Sequence, residues 1–141
     1  MSRNPLSKVL RARVADQALH RCGYCQTQEV VVGMPMEIEH IVPLAGGGSS
    51  EEVNLWLACP RCNLHKADRT RALDPLTGES VQLFDPRRQL WTDHFVWEQG
   101  GLYIAGHSPT GRATVDALRL NNDFVVRSRH IWIAWGWHPP K

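Results

Sequence analysis

Apolar positions along the chain change period several times, and each change predicts an element. From Leu6 to Arg21 they recur every fourth residue, at Leu10, Val14 and Ala18, the spacing of a helix that buries one stripe, with Ser7 placed to cap it. Met36 to Leu44 alternates polar and apolar through Ile41 and meets Pro43, the pattern of a short strand. Gly46, Gly47, Gly48 and Ser49 form a loop, Asn54 to Ala58 reads as a second strand, and Cys59 to Arg71 as a helix with Pro60 near its first position. Past Asp74-Pro75 the character changes. Phe95 to Trp97 and Leu102 to Ile104 flank Gln99-Gly100-Gly101 as a hairpin. Ser108-Pro109-Thr110-Gly111 precedes a helical stretch from Ala113 to Leu120. Asn122 and Asp123 can cap a last helix, Phe124 toward Trp135, ended by Gly136 and Pro139.

Composition narrows the class. A chain of 141 residues with 43% hydrophobic and 21% charged positions suits one soluble globular domain, 1–141, and not a disordered tail. Met1 to Leu10 carries Arg3, Pro5 and Lys8 and no apolar run, so no secretory leader is expected, no stretch suits a bilayer, and the expected setting is cytoplasmic. The formal charge of +2 does not by itself announce a nucleic-acid partner. Basic residues nevertheless gather at Arg61, Lys66, Arg69 and Arg71, with Arg87 and Arg88 further along; a solvated helix face is the plain alternative. Five of the six tryptophans (Trp91, Trp97, Trp132, Trp135 and Trp137) lie in the second half, with Trp56 earlier, and packing over the N-terminal unit is favoured over base stacking.

All four cysteines fall in two C-x-x-C pairs, Cys22-Gly-Tyr-Cys25 and Cys59-Pro-Arg-Cys62. Two such pairs can close a tetrahedral structural zinc site, because each spacing lets both thiolates reach one ion. Disulfides fit poorly where no secretory leader is seen, and redox exchange does not need two pairs with nothing spare.

Between the pairs stand Glu39-His40 on the first strand, Asn54 opening the second, and Asn63 and Lys66 just after Cys62. Phosphodiester hydrolysis needs such a set, a base for water and a cation for the departing oxygen. The order Glu39-His40-Ile41-Val42-Pro43, Gly46-Gly47-Gly48, Asn54-Leu55 and Cys59-Pro-Arg-Cys62-Asn63-Leu-His-Lys66 resembles the HNH endonuclease family. The match runs from about Cys22 to Lys66. The tail, with Phe84-Asp85-Pro86-Arg87 and Ser108-Pro109-Thr110-Gly111-Arg112-Ala113, looks like that of a small bacterial subgroup.

The resemblance implies an α+β fold, a ββα-metal unit over 20–72 pinned by a four-cysteine zinc, between an N-terminal helix and a C-terminal extension, 73–141, of hairpin and helices. It implies DNA hydrolysis that leaves 5′-phosphate and 3′-hydroxyl ends. His40 would be the general base, since an imidazole with a pKa near ~6.5 is mostly unprotonated at neutral pH. Asn54 would hold its ring, Glu39 and Asn63 would bind one Mg2+ (or Mn2+ or Ni2+), and Lys66, with Arg61 and Arg69, would face phosphates. His65 would either supplement the metal or face solvent. Glu39 stands where the family more often has aspartate, and Asn63 where founding members have histidine, a change that favours oxygen-loving ions. A non-catalytic zinc ribbon that binds nucleic acid, an RNA-cleaving enzyme of the same kind and a protein-interaction domain are the rival readings; oligomeric state is not legible.

Overall fold

A computed structural model describes residues 6–141; residues 1–5, where the stretch scanned for a leader begins, lie outside the described residues. Helix α1 (Lys8–Gln17) is capped by Ser7, whose hydroxyl accepts the Leu10 amide at 3.1 Å. It stops before its apolar spacing does, because Leu19 and His20 turn left-handed (φ 56° and 54°) to swing the chain into Cys22. The short helix α2 (Glu29–Val32) follows, too brief for any period to announce it.

Strands β1 (Glu37–His40) and β2 (Leu55–Ala58) pair antiparallel, Glu37 opposite Ala58 and His40 opposite Leu55. Helix α3 (Pro60–Lys66) begins at a cap formed by Cys59. The expected helix to Arg71 is corrected here. Ala67 takes φ 53° and ψ −130°, which breaks the spiral, and Arg71 already belongs to β3 (Arg71–Leu73). With β4 (Ser80–Gln82), β3 makes a hairpin that the sequence pattern does not reveal, since each strand has only three residues.

The expected C-terminal hairpin is β5 (Phe95–Glu98) with β6 (Tyr103–Gly106) around a turn at Gln99–Gly101. Helix α4 (Pro109–Ala117) starts four residues before the expected Ala113, because the Ser108 hydroxyl accepts the Gly111 amide and Pro109 fits the first turn. Helix α5 (Asp123–Ala134) is capped by Asn122, and Gly136 (φ 76°) follows its end. The fold is therefore α+β, with three two-stranded antiparallel hairpins among the described residues. Among these residues no helix is long and apolar enough to cross a membrane.

One core runs from the cysteine segments into the C-terminal half: Cys22, Tyr24, Leu57 and Cys62 join Leu83, Phe84, Phe95, Ile104 and Leu118. Phe84 meets Phe95 edge-on at 5.1 Å, Trp91 stacks on Phe95 at 5.1 Å, and the Trp91 indole N–H donates to the Tyr24 carbonyl at 2.8 Å. Trp56, Trp91 and Trp97 thus pack as expected. Trp135 and Trp137 do not: they stack on each other while 70% and 51% exposed.

Arg129 organises the extension. Its side chain is fully buried and donates to the carbonyls of Leu102 (3.2 Å) and Leu120 (2.6 Å) and to Asn121 Oδ1 (3.1 Å). Asn121 in turn brackets Ile104, accepting its amide and donating to its carbonyl, each at 2.8 Å. Arg129→Met would strand these acceptors, so urea unfolding is expected to show a loss of about 3 kcal/mol. A loss below ~0.5 kcal/mol, the range of an ordinary surface substitution, would contradict this role.

Candidate active site

The site is assembled by the cysteines. Cys22 to Gln26 turn tightly, with the Gln26 amide donating to the Cys22 carbonyl at 3.0 Å and Gln26 left-handed at φ 62°. The Gly23 amide donates to the Leu57 carbonyl at 2.8 Å and docks this turn on β2. A Cβ at Gly23 would lie 2.3 Å from the Trp56 ring, so the position requires glycine. On the other arm, the Cys62 amide approaches Cys59 Sγ at 3.4 Å. All four sulfurs are buried and lie within 4.8 Å of one another, with Cys25 and Cys59 Sγ at 3.7 Å. Tetrahedral zinc with Zn–S bonds of ~2.3 Å sets sulfurs roughly 3.8 Å apart, so the quartet fits that ion. Burial pushes the Cys22 thiol well up, while its neighbour Cys22 draws the Cys25 thiol well below its ordinary value, so the sulfurs are closely coupled. The four cysteines could therefore hold a structural zinc.

Strand alternation sets the two faces of β1. Glu37 and Glu39 share the face that meets α3, where the Asn63 amide donates to Glu37 and Lys66 reaches Glu39. Glu39 is buried: Oε2 accepts the Tyr24 hydroxyl at 2.6 Å and Oε1 lies 2.8 Å from Lys66 Nζ. Burial raises its carboxyl above the ordinary value, against the pull of Lys66 and Tyr24.

His40, on the opposite face, is half-buried, with Nε2 3.0 Å from the Ser50 hydroxyl. Asn54 is expected at the imidazole, and its amide turns instead to the backbone. Oδ1 accepts the Val42 amide at 2.8 Å, and Nδ2 donates to Val42 and Ser49 carbonyls at 2.9 and 2.7 Å. Asn54 thereby closes the Gly-rich loop that delivers Ser50 to His40. Gly48 is part of that closure, since a Cβ there would sit 1.8 Å from the Val42 carbonyl oxygen. From outside, Arg13 and Gln17 of α1 grip Glu52 at 2.7 and 2.8 Å, bracing the turn that leads to Asn54.

The expected phosphate contacts need correction. Lys66 is buried, 2% exposed, its ammonium held inward by Glu39 and by the Ile41 (2.9 Å) and His40 (3.3 Å) carbonyls. Arg69 donates to the carbonyls of His65, Lys66 and Ala117, tying the end of α3 to α4. Arg87 donates to Leu55 O and Gln17 Oε1 and lies over Trp56. Arg61 is half-buried on the first turn of α3. His65 is half-buried on the same helix, its pKa lowered by burial and then by Arg119, Arg61 and Arg69. Arg119 and Glu37 were not singled out from sequence. Strand alternation from Glu39 points to Glu37, whereas Arg119 is brought in only by the packing of α4.

The donors fit a hard divalent ion on one observation. Glu39 Oε1 is buried, ion-paired with the Lys66 ammonium at 2.8 Å but accepting no hydrogen bond, and Glu39 shares a strand face with Glu37, against which Asn63 of α3 is set. Carboxylate and amide oxygens are the donors such an ion selects.

Comparison with known proteins agrees with this geometry. The family model described as HNH endonuclease matches residues 22–69, roughly a third of the chain and the whole of the cysteine-bounded unit. The match implies, for that segment, nuclease-type activity on nucleic acid and use of a divalent metal. No curated protein and no solved structure matches the chain.

Purified protein is expected to carry one zinc per chain by elemental analysis, and Cys59→Ser to lose both the ion and cooperative unfolding. Folded, zinc-free wild type would contradict the four-sulfur assignment.

Proposed function

We propose that the protein is a metal-dependent endonuclease that hydrolyses DNA with His40 as general base. The observation that supports this most is the arrangement within the HNH-matched segment: a half-buried His40 follows Glu39 directly on β1, whose opposite face sets Glu37 and Glu39 against Asn63 and Lys66 of α3, all on one hairpin and helix bounded by the cysteines.

His40 accepts the proton of an attacking water at its imidazole, and the Ser50 hydroxyl at Nε2 helps to fix the orientation of the ring. Asn54 keeps the loop of Ser49 and Ser50 in place, so its part in orienting the ring is through that loop. Glu39 and Asn63, with Glu37 beside Asn63, would hold the divalent ion; with asparagine on α3, Mg2+ or Mn2+ is favoured over Ni2+. When bound, such an ion neutralises the scissile phosphate and stabilises the departing 3′ oxygen, leaving 5′-phosphate and 3′-hydroxyl ends. Arg61, Arg119 and the partly engaged Arg69 supply positive potential around His65 for flanking phosphates. Lys66 acts inside the protein.

Supercoiled plasmid incubated with Mg2+ or Mn2+ is expected to be nicked by wild type and left intact by zinc-loaded, folded His40→Ala, a loss of about 100-fold or more. Cleavage of RNA alone would move the substrate class. A fully active His40→Ala would remove the proposed base.

A further inference from the structure

Tyr24 and Lys66 take no part in the chemistry just described, yet both are almost completely buried and both end on Glu39. Tyr24 comes from the first cysteine turn, between Cys22 and Cys25. Lys66 is the last residue of α3, the helix begun by the second. The two arms of the cysteine cluster therefore reach β1 at one carboxylate. From there Lys66 continues to the backbone, its ammonium lying 2.9 Å from the Ile41 carbonyl and 3.3 Å from that of His40. The ion pair with Glu39 and the two carbonyls hold the ammonium inside the protein, turned away from any phosphate.

We infer that Tyr24 and Lys66 are positioning residues for His40: through Glu39 and the His40 and Ile41 carbonyls they couple the cysteine cluster to the placement of the base. The inference rests on the reading of His40 as general base, and three observations carry it. The links are short and buried, where hydrogen bonds and ion pairs hold direction best. The Lys66 link ends on the main chain of the proposed base itself, and the Tyr24 link on the residue before it. Finally, the only covalent route from the Cys22–Cys25 turn to β1 runs through α2 and the exposed Gly33–Pro35 segment, so Tyr24 is the short connection.

The test compares Tyr24→Phe and Lys66→Met with wild type and His40→Ala, each checked for zinc content and fold. It reads kcat and KM separately on supercoiled plasmid with Mg2+, and the His40 ring cross-peaks by NMR in protein without added Mg2+. The expected result for both variants is normal zinc, a kcat lower by about 10- to 100-fold, KM within about twofold, and displaced His40 ring signals. Wild-type kcat with unmoved His40 signals in zinc-loaded variants would overturn the proposal. If Lys66→Met fails to fold, Tyr24→Phe, which removes one hydroxyl, decides alone. If wild type cleaves nothing, or His40→Ala stays active, the nuclease reading fails separately. The NMR comparison then decides the coupling: moved signals sustain it and unmoved signals overturn it.

Discussion

Four sulfurs drawn within 4.8 Å of one another are the constraint on which the rest of the site depends. They join two places in the chain more than thirty residues apart, Cys22–Cys25 and Cys59–Cys62, and the loop they close contains β1, the Gly-rich turn and β2. A two-stranded hairpin is marginal in water by itself. Here its open end is held by the Gly23 amide on Leu57 and by the helix that Cys59 caps, while Asn54 closes the loop at the turn end, so His40, Glu39 and Asn63 need no large core of their own. The C-terminal half adds the missing apolar cover, with Phe84, Phe95 and Trp91 closing over Tyr24.

A second theme is the use made of positive charge. Lys66, Arg69, Arg87 and Arg129 all spend donors on main-chain carbonyls, and Arg112 makes a two-pronged pair with the buried carboxylate of Asp74 at 3.0 and 2.8 Å. The guanidinium holds the Asp74 carboxyl far below the ordinary carboxylate range, so this pair stays charged throughout the working pH range. These side chains act as struts between segments that share little sheet. The modest formal charge of +2 is thus spread unevenly between interior and surface, and Arg119, Arg61 and Arg69 gather positive charge around His65.

Much of the fold was legible because the relevant signals are local. Ser7, Asn122 and the C-x-x-C pairs mark boundaries by their own chemistry, and the alternation in Glu37-Ile38-Glu39-His40 announces β1. The parts that escaped are short or non-local. Helix α2 and the β3–β4 hairpin lack the length to show a period, and α3 ends where Ala67 turns, which no breaker residue signals. At the site, residue types pointed to the right neighbourhood but not to the side chains' partners. Lys66 could not be told from a surface lysine until Tyr24 and Glu39 were seen behind it. Asn54, expected at the imidazole, spends its amide on Val42 and Ser49 because the Gly-rich loop needs closing first.

Zinc-edge X-ray absorption on the purified protein tests the founding constraint most directly. The account predicts a first shell of four sulfurs at about 2.3 Å with no nitrogen or oxygen ligand. A shell containing histidine nitrogen or water oxygen would contradict it, since the ion would then sit elsewhere and the frame that places His40 would need another cause.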